Sequence, residues 1–273
     1  MGAIIAYIET TDGVPLYYED HADSKAILLI HAWTMNAEYW WQKNIPELSK
    51  SHRVIALDLR GHGLSGKTDE GHRLNQYARD VRYLLEALKL TKVTMVGWSM
   101  GTSIILSYLT QFGADEIRSV AFVEQSLRYL SAPDWEYPLG GGYSPEDLAT
   151  FNQNLLFDRP SAAKRFIGSM FAEPPPAETI DEMYAETTKT PTVVAIKSMT
   201  SMTYADLRPE LEKVSMPTLL LYGEQSRLCP GGLGEWLQEQ IPDSKLVMFE
   251  QSGHCPFWEE PEKFNQEVAN FAG

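Results

Sequence analysis

Cysteine is almost missing from this sequence: Cys229 and Cys255 are the only two among 273 residues. Two thiols do not build a disulfide framework, so a cytoplasmic setting with buried free thiols is the expectation. Positive charge is scarce as well. The 23 Lys and Arg stand against 37 Asp and Glu, a formal net charge of −14. Such a surface repels nucleic-acid phosphates and anionic lipid headgroups, so neither is an expected partner. A neutral or cationic small molecule fits better, and a homodimer is left open. Long apolar runs are also absent; none approaches the roughly 18 residues that span a bilayer. The opening MGAIIAYIETTDG has no basic stretch and no cleavage-like site, so no secretory signal is read there. Its Met-Gly start lacks the Ser or Thr that myristoylation requires at position 6, which is Ala6.

What is present is ordinary for a globular protein: 44% hydrophobic and 22% charged residues, in a length that suits one core plus an insertion. Short apolar runs alternate with amphipathic ones. AILLIH (26–31), RVIALD (53–58), VTMVG (93–97), IRSVAFV (117–123), PTLLLYG (217–223) and KLVMF (245–249) read as strands buried on both faces, and AYIE and PLYYED as an edge hairpin. Helices are expected over 36–49, 74–88, 100–112, 232–240 and 261–271. This alternation predicts an α/β fold with a mostly parallel sheet flanked by helices. It breaks over 131–204, which holds no convincing strand but many aromatics and methionines. We read 1–130 and 205–273 as the core domain and 131–204 as a helical cap, with a ligand pocket expected between them.

The chemistry starts at Gly97-Trp98-Ser99-Met100-Gly101, a G-x-S-x-G pattern between a strand and a helix. A tight turn there lifts a serine hydroxyl out of the sheet edge. Serine needs a base, and of six histidines His254, in the loop after the last strand, is the candidate. His21, His52 and His72 read as solvated surface residues, and His31 and His62 as structural ones. The oxyanion would take the backbone N–H of Met100 and that of Trp33. Trp98 and Trp135 are candidate substrate contacts. No cluster has metal-ligand spacing, so no metal or organic cofactor is expected.

HAWT, DLRGHGLS, GWSMG, LLLYGEQSRLCP and SGHCPFWEEPEKF occur in the order and spacing of the α/β-hydrolase superfamily. The sequence resembles its capped esterase, lactonase and C–C hydrolase branch, over essentially the whole chain outside the cap. The resemblance implies an eight-stranded sheet and a Ser-His-acid triad. Two places depart from the pattern: Ala32 stands where the family usually has glycine, and Ser226 stands where it usually has the catalytic aspartate. Among the carboxylates that could replace it, Glu224 leaves the loop on another side and Asp243 lies at the far edge. Glu259 and Glu260 read as first-turn helix carboxylates, and Asp58 as an anchor for Arg60 or local backbone. Glu124, ending the strand after the nucleophile's helix, is preferred. Some lipases, quinaldone dioxygenases and zearalenone-type lactonases of the superfamily carry their acid there.

The reading that follows is a serine hydrolase of small-to-medium uncharged carboxylic esters or lactones, with Ser99, His254 and Glu124 as triad. The alternative is a cofactor-independent oxygenase, in which the histidine and acid deprotonate substrate for attack by O₂. A binding protein with vestigial chemistry is a third reading, opposed by the retained serine and histidine.

Overall fold

Side chains along the central strands divide between two cores with period two, as a sheet covered on both faces requires. Leu28, Ile30, Met95, Phe122 and Leu220 join one core; Ile27, Leu29, Val96, Trp98, Val123 and Leu221 join the other. The computed structural model describes residues 4–22 and 24–273. Residues 1–3, including the Met-Gly start, and residue 23 lie outside the described residues.

The edge hairpin is β1 (Ile4–Glu9) and β2 (Pro15–His21), followed by β3 (Ala26–Ile30). One helix was expected over 36–49; the chain forms two short ones, α1 (Ala37–Trp40) and α2 (Ile45–Leu48). Pro46 explains the break, since it has no N–H for the bond back to residue 42 and fits only a first turn. Then come β4 (Arg53–Leu57), α3 (Leu74–Ala87), β5 (Val93–Trp98), α4 (Met100–Phe112) and β6 (Ile117–Val123). Four helices follow before the next strand: α5 (Pro145–Phe157), α6 (Arg159–Ser169), α7 (Ala177–Thr187) and α8 (Thr192–Thr203). The chain ends with β7 (Thr218–Gly223), α9 (Leu233–Gln240), β8 (Ser244–Phe249), α10 (Pro256–Glu259) and α11 (Pro261–Ala272).

The eight strands form one sheet in the order β1-β2-β4-β3-β5-β6-β7-β8. β1 and β2 run antiparallel to their neighbours, and β3 to β8 pair in parallel. The carboxyl ends of β5, β6 and β7 therefore lie side by side, which is where α/β sheets assemble their sites. The helical insertion leaves the sheet after β6 through a narrow neck, closed by a bridge between Arg128 and Asp206 and by the Leu207 N–H bond to the Leu127 carbonyl. No helix among the described residues is long and apolar enough to cross a membrane.

The loop after β4 is pinned by its own side chains. Asp58 accepts from the Ala37 and Leu64 amides, at 2.7 and 2.6 Å, so it anchors backbone; Arg60 instead pairs with Asp80 and Asp12. Burial raises the Asp58 carboxyl to about 6, the two amide bonds opposing the shift. His52 and His72, expected at the surface, are 4% and 1% exposed. Their rings find local partners, His52 in the Ser51 hydroxyl and His72 in the Thr68 carbonyl.

Candidate active site

Ser99 follows β5 and caps α4 in a left-handed backbone conformation, φ +51° and ψ −114°. A non-glycine residue in that region is strained, and neighbouring contacts must hold it. Close approach on both sides does so. A Cβ on Gly97 would lie 2.5 Å from the Gly101 carbonyl carbon, and one on Gly101 only 2.3 Å from the Ile30 carbonyl oxygen. The elbow thus needs glycine at both flanks, and the Ser99 amide is tied to the Val123 carbonyl at 2.8 Å.

Glu124, the first residue beyond β6, also has a positive φ, +49°. Its amide continues the ladder to the Leu221 carbonyl while its side chain turns into the site. There it is fully buried and fully engaged. Oε1 accepts from the Gly223 amide at 2.8 Å; Oε2 accepts from the Ser226 hydroxyl at 2.7 Å and lies 3.1 Å from Nδ1 of His254. A carboxylate only accepts, so Nδ1 carries the ring proton and Nε2 is left as a base.

His254 is itself held from several directions. Its amide bonds the Met170 carbonyl at 2.6 Å, and its carbonyl accepts from the Trp98 indole at 2.9 Å. Glu259 accepts from the Gly253 amide with one oxygen and from the Ala172 amide with the other, at 2.9 and 2.8 Å. Glu260 holds the Ser252 hydroxyl and the Gln251 amide. Glu259 is an acidic first-turn residue of α10 and Glu260 the N-cap of α11, as expected of helix carboxylates, and both also brace the histidine loop. A loop-bracing role leaves no local sequence pattern, because the partners are backbone amides of any residue.

The amides of Trp33 and Met100 donate to no protein acceptor among the described residues. Met100 is the first residue of α4, where the first amides of a helix have no partner within it and the dipole favours negative charge. The Trp33 side chain packs edge-on against Phe166 at 5.2 Å and against Phe151 at 5.5 Å, and its indole donates to the Ala195 carbonyl. All three partners belong to the insertion, so the helices close over this loop. Ser99 is left only 7% exposed.

The two tryptophans expected to touch substrate both pack against structural partners. Trp98 is fully buried in the opposite core, stacked edge-on against Phe257 at 4.5 Å. Period-two alternation dictates this, since Trp98 shares its face with Val96. Trp135 packs edge-on against Trp236 at 5.1 Å and spends its indole N–H on the Arg128 carbonyl. Two residues without any motif stand near Ser99. Tyr129 bonds Gln125 at 3.1 Å, and its hydroxyl lies near Ser99; burial pushes its phenol up. Gln125 in turn holds Ser103 on α4.

His31 and His62 serve the scaffold. His31 accepts from the Leu59 amide on Nε2, which places its proton on Nδ1, facing the Ala32 carbonyl. Complete burial lowers it to about 4. Cys229 and Cys255 are both free and buried. A cavity of about 710 Å³ between α2 and α11, bordered by Lys43 and Glu47, is lined by neither Ser99 nor His254.

A family model described as alpha/beta hydrolase fold matches residues 25–261. The chain belongs to this family. It is 30% identical over 270 residues to the AB hydrolase superfamily protein YisY of Bacillus subtilis (strain 168), covering 97% of this chain and 98% of that one. It is 27% identical to the pimeloyl-[acyl-carrier protein] methyl ester esterase of Vibrio cholerae, with coverage of 94% and 98%. Among solved structures it resembles the esterase EaEST of Exiguobacterium antarcticum, with a TM-score of 0.91, 27% identity and coverage of 98% and 99%.

Proposed function

We propose that this protein hydrolyses small-to-medium uncharged carboxylic esters or lactones through an acyl-enzyme. One observation carries the reading: Glu124 Oε2 lies 3.1 Å from His254 Nδ1, which leaves Nε2 of the ring basic at the edge where the strained Ser99 elbow stands. Ser99 attacks the carbonyl as His254 takes its proton on Nε2, and Glu124 stabilises the imidazolium that forms. The Trp33 and Met100 amides stabilise the oxyanion, and His254 returns the proton to the leaving alcohol. Water then cleaves the acyl-enzyme with His254 as base again. The esterase names among the relatives support this class of reaction. An uncharged substrate fits aromatic surroundings in which Trp33 packs against Phe151 and Phe166, where burying a charge would be costly.

Fluorophosphonate labelling followed by mass mapping tests the nucleophile; the label belongs on Ser99. Ser99→Ala is expected to lose on the order of 10⁶ in kcat, the scale of a nucleophile's removal in a serine protease. Its melting temperature should stay near that of the parent. Undiminished ester turnover in this variant removes the nucleophilic mechanism.

A further inference from the structure

The acid–histidine pair has a third member that hydrolysis does not use. Sγ of Cys229, a carboxylate oxygen of Glu124 and a ring nitrogen of His254 all lie within 4.8 Å of one another, and all three residues are buried. The Cys229 thiol lies beside the Glu124 carboxylate and the Ser126 backbone. A second observation concerns access. Glu124 and Cys229 line a cavity of about 300 Å³, and the exposed carboxylates Glu224 and Glu235 border it. Ser99 and Trp33 do not line it, so this opening reaches the acid from behind.

We propose that Glu124, Cys229 and His254 form a binding site for a thiophilic divalent cation of the zinc class, and that occupancy switches hydrolysis off. One thiolate, one imidazole and one carboxylate are zinc donors, and three protein ligands leave a fourth position for water from the cavity. In a tetrahedral zinc site the donors stand about 3.3–3.8 Å apart, so closing this cluster takes side-chain adjustments of about 1 Å. The acidic border concentrates cations at the entrance, whereas the aromatic approach to Ser99 does not.

Binding forms the metal–sulfur, metal–nitrogen and metal–oxygen bonds and breaks one S–H bond, whose proton leaves to solvent. Because the thiol must lose its proton to bind the cation, affinity falls as pH falls. The imidazole keeps one proton, which moves from Nδ1 to Nε2. Nε2 is then a donor and cannot accept the proton of Ser99, while Glu124 no longer bonds the ring. The ligand set itself stands on geometry; the inhibitory consequence rests on the function proposed above.

Cadmium and zinc added to the reduced, chelator-free protein test the site. Cadmium should raise an ultraviolet thiolate-to-metal band that saturates at one ion per chain. Zinc should lower p-nitrophenyl acetate turnover in step with occupancy, and a chelator should reverse both. Cys229→Ala, and Cys229→Ser as the variant that keeps volume, should lose the band and need at least about 100-fold more zinc for half-inhibition, since even ligand-supporting residues cost 10–100-fold. Cys255→Ala should titrate like the parent. The band should persist in Ser99→Ala, so a failure of the hydrolytic reading leaves the binding test intact. No band at one equivalent, a band that survives both Cys229 variants, or equal zinc inhibition with and without Cys229 overturns the proposal.

Discussion

The ends of β6 and β7 lie side by side, and each sends one side chain to the same carboxylate oxygen region. From β6 comes Glu124, with the charge; from the loop after β7 comes Ser226, with only a hydroxyl. The pattern of the family would put the charge on the second. Adjacent parallel strands end within one side chain's reach of the same ring nitrogen, so the charge can sit on either without moving the histidine. What differs is the backbone. Glu124 needs a positive φ to turn inward, a strained arrangement for a residue with a Cβ. The position after β7 then supplies support: Ser226 donates to Glu124 and accepts from the Cys229 amide at 3.1 Å.

The sharpest way to break this comparison is to neutralise each position in turn. Glu124→Gln is expected to lower kcat by about 10⁴, the cost of replacing a triad carboxylate by its amide in a protease. Stopped assays of ester turnover at saturating substrate would measure it, and a loss under tenfold would mean that Glu124 is not the acid. Moving the charge back comes next. Ser226→Asp in the Glu124→Gln background should recover part of the lost rate, because the carboxylate then sits where the hydroxyl already lies 2.7 Å from Oε2. No recovery would show that the loop has lost the geometry for the family's arrangement.

Ser226→Ala alone is a smaller test. A neutral hydroxyl cannot replace a carboxylate, and on sequence grounds its removal should be nearly silent. The structure revises that expectation, since Ser226 bonds the acid directly. A hydrogen bond to a charged group contributes about 1.5–3 kcal/mol, so a fall in kcat of roughly 10- to 100-fold is expected. An unchanged rate would return Ser226 to the role of a bystander.

The smallest expected effect concerns a histidine that is locked rather than used. His31, held neutral with a pKa of about 4, lies well below the unfolded value of about 6.5. Below pH 6.5 the unfolded chain binds a proton that the folded one refuses, so this contribution is present at neutral pH and is lost as pH falls towards 4. It amounts to up to about 3 kcal/mol. Asp58, raised to about 6, has the opposite slope in an overlapping window, so the raw stability curve mixes the two. The clean measurement is the difference in denaturant midpoint between the parent and His31→Asn, which should shrink on acidification. A difference that stays constant from pH 7 to pH 4.5 contradicts it.

These tests bear on what could be read from the chain alone. Strand positions were legible because β3 to β7 are continuous apolar runs, and Ser99 because an elbow needs small residues at fixed offsets. Glu124 was legible by subtraction, since a serine stood where a carboxylate was wanted. The positions that misled did so for physical reasons. Trp98 lies beside the nucleophile in sequence, but the pleat turns it to the other core. His52 and His72 sit among polar neighbours, yet local turns bury them. Ser226, Tyr129 and Glu259 act through where their side chains point, which depends on tertiary packing and has no periodic trace.

The two oxygens of Glu259 hold Ala172, just past α6, and Gly253, beside the base. With the bond from His254 to Met170, the insertion and the histidine loop are riveted together at this end. Opening for substrate therefore cannot begin there without carrying the imidazole away from Glu124. On the reading proposed above, the place left to part is the opposite seam, where Trp33 meets Phe151, Phe166 and Ala195. That seam belongs to the residue proposed as an oxyanion donor. If substrate enters there, its admission and the readiness of the proposed oxyanion site are one motion, and the Glu124–His254 contact is left undisturbed.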